Sequence, residues 1–253
     1  MKVVAGIIIK FRKVVKRSKD QVLNGMDIGS ISSETTVTDR FLGILENEIN
    51  GHGQEIFQVK GVSIVATTLQ DRGKDSQESE FGADFAVILD INLDGFVLKK
   101  GFLCQAKKEG RGIRIHNTRR PTTVRFSSNN KFKKLKIQTE KMLKKTPDSF
   151  VIVYGTSEFV VVPASSISSL KDTGILYGKS VEDFFVEFLL CFVGDIQISE
   201  NPNQWNEVQT FANKIVKISI KQDNSRTSFK KNTSPPSLES VEQNLDKIIT
   251  VNV

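Results

Sequence analysis

The sequence predicts an α/β fold, and two observations support this prediction. In some segments apolar residues recur at helical spacing, in others Val, Ile, Leu and Phe form strand-like runs, and the two kinds of segment alternate along the chain. The chain has 253 residues, of which 38% are hydrophobic and 26% charged, which is enough to bury a core without disulfides or a structural metal. We therefore expect one soluble globular domain with a smaller helical and strand extension on its C-terminal side.

The first third of the chain is predicted to contain a helix and a strand. Residues 1–35 are expected to be an N-terminal extension, whose opening at 3–15 has either strand or helix character. A helix is predicted to follow from the candidate caps Thr36 and Thr38, because apolar side chains then recur every three or four residues until Gly51 and Gly53. Residues 62–69 favour a strand, and residues 71–80 favour a polar loop.

A predicted β-hairpin is the most informative segment, with strands at 84–93 and 96–107 joined by Asp94-Gly95, a typical two-residue turn. If the turn has two residues, the numbers of opposed positions sum to 189, so Asp84 faces Gln105 on one side of the sheet. Lys107 lies two positions beyond Gln105 and projects to the same side. A bulge near residues 99 and 100 would shift this register by one residue.

The remaining segments also alternate between helical and strand patterns. Residues 109–130 are a predicted loop, 131–145 a basic helix, 150–154 and 159–162 two short strands, and 181–193 an apolar helix. Residues 208–220 are an amphipathic element of uncertain type, 221–237 a polar linker and 248–253 a final strand. These elements give a core at 36–164, a C-terminal helical extension at 165–220, and a linker with a terminal strand at 221–253.

Composition excludes several kinds of site. The chain has two cysteines and two histidines, which rules out a four-thiolate or His-rich zinc site, so a metal would need mainly carboxylate, amide or carbonyl oxygen.

The apolar runs fall short of the roughly 20 residues that a membrane-spanning helix needs, and no small-residue cleavage site follows the N-terminal run. We expect a cytoplasmic protein that does not associate with membranes.

The charge is distributed unevenly along the sequence. From Glu46 to Asp94 there are ten acidic and three basic residues, a balance of −7, whereas from Lys99 to Lys145 there are sixteen basic and two acidic residues, a balance of +14. A metal site beside a polyanion-binding surface would need this arrangement, because carboxylates attract divalent cations while Lys and Arg attract phosphate. A solvated loop and helix would show the same pattern, so charge alone leaves both interpretations open.

The three polar residues that converge on the hairpin could form a site that cleaves phosphodiesters. The Asp84 carboxylate, the Gln105 side-chain oxygen and the Ala106 carbonyl are the oxygen ligands that Mg²⁺ or Mn²⁺ prefers. Lys107 would then orient the attacking water and stabilise charge that develops on oxygen. In the alternative interpretation, Asp84 caps the turn after Gly82 and Lys107 is a solvated charge at a strand end.

These residues resemble the motif of the PD-(D/E)xK, or restriction-endonuclease-like, nuclease superfamily. The run from Glu80 to Asp84, followed by Gln105-Ala106-Lys107 on the next strand, is similar to the Mrr-like variant, in which glutamine replaces the second acid. The resemblance covers roughly residues 36–164. It implies a mixed central β-sheet flanked by helices, magnesium-dependent endonuclease activity on DNA, and a role in restriction or antiviral defence.

The resemblance also assigns roles to individual residues. Asp84 corresponds to the metal-binding aspartate, Gln105 to the acid or glutamine, and Lys107 to the lysine, while Ala106 would offer its carbonyl to the metal. Gln138, on the predicted helix after the lysine strand, matches a glutamine that several members of the family carry at this place.

A glutamate from the helix before the sheet is implied as well. Glu46 and Glu48 both flank the apolar stripe of that helix. We favour Glu46 as the catalytic and metal-binding acid, because Glu48 lies nearer the end of the predicted helix, where fraying is expected. The choice between these two residues stays open on sequence alone.

The basic stretch after Lys107 supplies the predicted DNA contacts, which are Lys108, Arg111, Arg114, Arg119, Arg120 and Arg125. Because Gln105 is neutral, an alternative function is a catalytically inactive nucleic-acid-binding module on the same fold, and an assembly protein with an incidental basic face comes third. Cutting two strands usually takes two active sites, so we expect a homodimer. A separate partner for target recognition is equally open, because the sequence shows no helix-turn-helix or zinc-finger signature.

Overall fold

The computed structural model of the chain describes residues 2–56, 62–70, 82–116, 122–198, 212 and 214–222. Its helices are α1 (Lys2–Asp27), α2 (Glu34–Ile56), α3 (Asn130–Leu143), α4 (Ala164–Ser169) and α5 (Val181–Leu189), with a 3-10 turn at Ile196–Ile198. Its strands are β1 (Val62–Gln70), β2 (Phe85–Leu93), β3 (Phe96–Lys108), β4 (Ile113–His116), β5 (Thr123–Phe126), β6 (Ser149–Tyr154), β7 (Phe159–Pro163), β8 (Gly174–Tyr177), β9 (Lys179–Ser180) and β10 (Lys214–Gln222).

The α/β class is confirmed, because a seven-stranded mixed sheet with the order β1-β10-β2-β3-β6-β7-β9 is flanked by helices. The pairs β10-β2 and β3-β6 are parallel, and the other pairs are antiparallel. Strand β10 comes from the predicted C-terminal extension but lies between β1 and β2. The predicted boundaries at 36–164 therefore do not delimit a separate domain, and the amphipathic element predicted at 208–220 contains a strand of the sheet.

Helix α1 resolves the ambiguous opening of the chain. It runs as far as Asp27, well beyond the predicted end at residue 15, because Phe11, Val14, Ser18 and Val22 continue the helical spacing and are all buried. Their side chains pack in the same core as those of α2 and α5. The predicted N-terminal extension is therefore part of one helical layer over the sheet.

Helix α2 is confirmed, but it begins at Glu34, two residues before the first predicted cap, and it continues past both glycines. Its start is set by Ser33, whose Oγ accepts a hydrogen bond of 3.1 Å from the backbone N–H of Thr36. Thr38, the second candidate cap, lies inside the helix and donates its hydroxyl to the Glu34 carbonyl at 3.1 Å. The two-residue difference matters, because it places Glu34 in the first turn.

The hairpin register is confirmed. Leu93 lies opposite Phe96 and Phe85 lies opposite Cys104, so the opposed positions sum to 189 along the whole β2-β3 pair without a bulge. Gly95 has a φ of +79°, a value that the tight turn requires and that glycine tolerates without strain.

The loop predicted at 109–130 contains two strands, β4 and β5, which pair with β8 in a separate three-stranded sheet. Alternate side chains of these strands are buried, including Ile113, Val124 and Phe126. This alternation covers only a few residues and is flanked by Gly and Ser, so the sequence favoured a loop. The predictions for 131–145, 150–154 and 159–162 are confirmed by α3, β6 and β7. The predicted polar loop at 71–80 and terminal strand at 248–253 lie outside the described residues, as does the predicted linker apart from its first two residues, which belong to β10.

Helices cover both faces of the large sheet. On one face Phe102 of β3 makes edge-to-face contacts with four other phenylalanines, at 150, 184, 185 and 188, in the core that α1, α2 and α5 share. On the other face α3, α4 and the small sheet pack against β6 and β7. Within the described residues, no helix combines the length and the apolar character that a membrane span requires.

Candidate active site

Asp84 and Gln105 meet where β3 runs beside the residue that precedes β2. The Asp84 carboxylate oxygen Oδ2 accepts hydrogen bonds from Gln105 Nε2 and, at 2.7 Å, from the backbone N–H of Ala106. The backbone N–H of Asp84 donates to the Cys104 carbonyl at 2.9 Å. The hairpin therefore brings this carboxylate and this carboxamide into direct contact, as the register predicted.

The buried amide oxygens of two predicted site residues lack partners. Gln105 is 0% exposed and Gln138 is 6% exposed, and the Oε1 atom of each accepts no hydrogen bond from any described residue. A buried polar atom left in this condition costs about 1–3 kcal/mol. Such oxygens indicate a place where a hydrogen-bond donor or a cation would be favourable.

Gly82 holds the start of β2 against helix α3. Its φ is +79°, and a Cβ atom at this position would lie 2.5 Å from the backbone oxygen of Gln138. Glycine is therefore required both by the backbone conformation and by the close approach. The approach brings the segment that carries Asp84 against the turn of α3 that carries Gln138.

Glu34 links helix α2 to the end of β3. Its Oε1 forms an ion pair with Lys107 Nζ at 3.0 Å, and its Oε2 accepts the backbone N–H of Lys108 at 2.8 Å. The Nζ of Lys108 donates to the Ser32 carbonyl at 2.8 Å, directly before the helix. The Lys107 side chain is 16% exposed, so Glu34 fixes its ammonium group while leaving part of it open to solvent.

The helix acid at the end of β3 is Glu34, whereas we expected Glu46. Glu46 lies twelve residues further along α2, roughly 18 Å at 1.5 Å per residue, and no hydrogen bond or ion pair in the described ranges joins it to β3. Glu48 faces α1 instead, where it accepts from Gln21 at 3.1 Å and lies 3.6 Å from Arg17. The sequence signal for Glu34 was its position directly after Ser33, since an acid in the first helical turn behind a serine cap is typical of a helix start.

The site also contains two buried and neutral side chains, those of Tyr154 and Cys104. Tyr154 places its hydroxyl 3.1 Å from that of Thr38, and burial raises its pKa well above the usual value, with smaller contributions from the charges of Asp84 and Glu34. Burial likewise raises the pKa of the Cys104 thiol. Neither group carries charge at neutral pH, so the charge of the site resides in Glu34, Asp84 and the lysines of β3.

The carboxylate of Asp84 and the amide oxygens of Gln105 and Gln138 are of the chemical type that a hard divalent cation such as Mg²⁺ or Mn²⁺ takes as ligands. The Ala106 carbonyl accepts from Gln105 Nε2 at 3.3 Å and so belongs to the same cluster. Nowhere in the described ranges do three His, Cys, Asp or Glu side chains group together as metal ligands. This ligand set is rich in neutral oxygen, which predicts weak metal affinity.

The predicted DNA contacts separate into two groups. Lys108 is held against the N-terminal end of α2, as described above. Arg111, Arg114 and Arg125 are exposed, the last two on the small sheet, where they lie directly opposite each other. Arg119 and Arg120 lie outside the described residues.

Comparisons with models of protein families, with curated proteins and with solved structures found no match to this chain. The resemblance to PD-(D/E)xK nucleases therefore depends on the motif residues and on their arrangement around β3.

Proposed function

We propose that this chain is a metal-dependent endonuclease that hydrolyses phosphodiester bonds of DNA. The observation that carries the proposal is the buried Gln105 side chain, which is bonded to the Asp84 carboxylate and has an unpartnered oxygen. A buried amide oxygen without a partner is costly, so a cation or a hydrogen-bond donor bound there would be favourable. The second unpartnered oxygen, on Gln138, gives independent support.

The chain's own residues would divide the chemistry between them. Bound Mg²⁺ or Mn²⁺ would lower the pKa of a water molecule and shield the phosphate charge. Lys107 would donate a hydrogen bond to the attacking water or to a phosphate oxygen, stabilising the negative charge that develops there. Glu34 is a positioning residue in this scheme, because it contacts the Lys107 ammonium.

The bond changes are those of hydrolysis. A water oxygen loses a proton and forms a bond to phosphorus while one ester bond between phosphorus and a sugar oxygen breaks, and the leaving oxygen takes up a proton, so that one water molecule is consumed. One DNA strand is thereby cut to a phosphate end and a hydroxyl end, without any change of oxidation state. A role in restriction or in defence against foreign DNA is implied by the family resemblance alone.

One observation favours a second candidate function, a nucleic-acid-binding module without catalysis. Gln105 supplies no negative charge, and the described part of the chain contains no cluster of three acidic, His or Cys ligands. Such a module would still bind DNA through its basic surface, and this binding would not depend on a metal ion.

The deciding experiment is a nicking assay on supercoiled plasmid, single-stranded DNA and RNA, with Mg²⁺ or Mn²⁺ and with EDTA. Asp84→Asn keeps an acceptor for the Ala106 N–H, and Lys107→Ala removes the ammonium; both should abolish metal-dependent cutting. Lys99→Ala is the matched control, since Lys99 lies on the same face of β3 at its other end. Cutting that survives Asp84→Asn, or that proceeds equally in EDTA, would contradict the proposal. Salt-sensitive binding without cutting would favour the second candidate.

A further inference from the structure

The outer face of the three-stranded sheet β4-β5-β8 is both basic and apolar. The inner face packs into the core through Ile113, Val124 and Phe126. The alternate side chains of the three strands point outward, and they are Arg114, His116, Thr123, Arg125, Ile175 and Tyr177. Tyr177 is 74% exposed and Ile175 is 59% exposed, so this face presents two large apolar side chains to solvent.

Two positive charges are adjacent on this face. Arg114 lies directly opposite Arg125 on the neighbouring strand, and Arg125 lies opposite Ile175 on the next. Like charges in opposed positions destabilise a sheet unless a counter-charge offsets them. No ion pair within the described ranges gives either guanidinium an acidic partner, so a bound anion would relieve the repulsion.

We propose that this face binds a single-stranded segment of the DNA substrate, with Arg114 and Arg125 contacting phosphates and Tyr177 stacking on an unpaired base. The inference rests on the proposed function and names the form of substrate that the site takes. Aromatic stacking combined with basic groups is typical of single-strand binding surfaces. A duplex hides the faces of its bases and offers phosphates and base edges, which would leave Tyr177 and Ile175 without a complementary partner.

The face is connected directly to the candidate active site. Strand β4 begins five residues after the end of β3, and Arg114 is seven residues from Lys107, a distance of at most about 25 Å even for extended chain. A single DNA strand bound on the small sheet would therefore need only a few nucleotides to reach Lys107 and Asp84. The surface would recruit substrate, and the chemistry would remain at β3.

The test is fluorescence anisotropy with the full chain in EDTA, which prevents metal-dependent cutting. The probes are a labelled single-stranded oligonucleotide and the duplex of the same sequence. Tyr177→Ala should weaken single-strand binding by about 5- to 150-fold, whereas Tyr177→Phe, which keeps the ring, should stay within about twofold of the original. The pair Arg114→Ala and Arg125→Ala should reduce the slope of log affinity against log salt by about 1.4.

Matched controls separate this face from general surface effects. Phe192→Ala removes another exposed aromatic ring, and the pair Arg12→Ala and Arg17→Ala removes the same charge from α1; neither should change binding as much. All altered side chains are largely exposed, and circular dichroism would verify that each variant is folded. Equal affinity for duplex and single strand, insensitivity to Tyr177→Ala, equal loss in the controls, or competition by polyglutamate as effective as by single-stranded DNA would each overturn the inference.

Failure of the inference and failure of the proposed function give different results. If the chain cuts DNA with metal while Tyr177→Ala and the arginine pair bind and cut normally, the inference fails and the nuclease proposal stands. If the chain binds single strands through this face but never cuts, the inference stands and the nuclease proposal fails. Lys107→Ala should abolish cutting, and in that background Tyr177→Ala should still weaken single-strand binding by the same factor.

Discussion

The substitution Gln105→Glu tests the charge of the candidate metal site most directly. Gln105 is buried and contacts Asp84, so a glutamate there would place two carboxylates within about 4 Å of each other. At an effective dielectric constant of about 20, two unit charges at this distance repel by about 4 kcal/mol. In the absence of metal, the variant should therefore unfold about 8–16 °C below the original protein, at the usual 2–4 °C per kcal/mol for a chain of this size.

A divalent cation should reverse this loss, because both carboxylates then face an opposite charge. Thermal unfolding would be followed in EDTA and in a series of Mg²⁺ and Mn²⁺ concentrations. A metal at 100 times its Kd stabilises a protein by about 2.7 kcal/mol, and the variant should reach that point at lower metal concentration than the original protein.

The loss of stability that Gln105→Glu causes in EDTA should also shrink as the pH falls toward about 4, since the raised pKa of the carboxyl pair makes the folded state bind more protons than the unfolded state.

The double variant Asp84→Asn, Gln105→Glu controls for the change in side-chain shape at these two positions. It exchanges the two chemical groups and keeps one carboxylate, so its melting temperature in EDTA should lie close to that of the original protein. If Gln105→Glu alone melts like the original in EDTA and gains no additional stability from metal, then Asp84 and Gln105 do not share an ion and do not form a metal site.

Three further predictions concern the framework of the site. Gly82→Ala should lower the free energy of unfolding in urea by about 1–3 kcal/mol more than Gly95→Ala, because both have a φ of +79° and only Gly82 faces a backbone within 4 Å; equal losses would show that the close approach is not important. Lys19→Met should cost about 3–5 kcal/mol, because it leaves the buried Glu182 and the partly buried Glu158 without their cation, against under about 0.5 kcal/mol for Lys16→Met in an exposed pair; similar values would show that the buried pair is not important. Burial lowers the pKa of Lys100, so between that lowered pKa and the ordinary value of 10.5 the unfolded chain binds more protons than the folded one, and the penalty of burying the ammonium is relieved as the pH rises. Lys100→Met should remove this contribution in alkaline unfolding experiments, and an unchanged pH profile would contradict it.

The central hairpin could be predicted because its information is local. Asp94-Gly95 specifies a two-residue turn, and the period of two along each strand then fixes which side chains share a face. The contact between Asp84 and Gln105 follows from these two facts. Gln138 could be placed on the following helix for a similar reason, although its burial depends on the packing of α3 against the segment around Gly82.

Other features depend on contacts between distant parts of the chain. Glu34 reaches Lys107 across 73 residues, and nothing in the helical spacing near residues 46 and 48 shows which end of α2 meets β3. Strands β4 and β5 are four residues each and gain their stability from β8, about fifty residues later. Such short strands are marginal alone, which is why the local sequence indicated a loop.

Strand β10 has a consequence for how the protein is made. Strand β1 and one edge of β2 have no hydrogen-bonded neighbour strand until residues 214–222 have left the ribosome. Residue 222 lies 129 residues after the end of β2. At synthesis rates of 5–20 residues per second, that interval is about 6–26 s, during which an apolar strand edge is available to other nascent chains. We therefore expect the segment up to Leu93 to need protection during translation, and a chain that stops before residue 214 to be prone to aggregation.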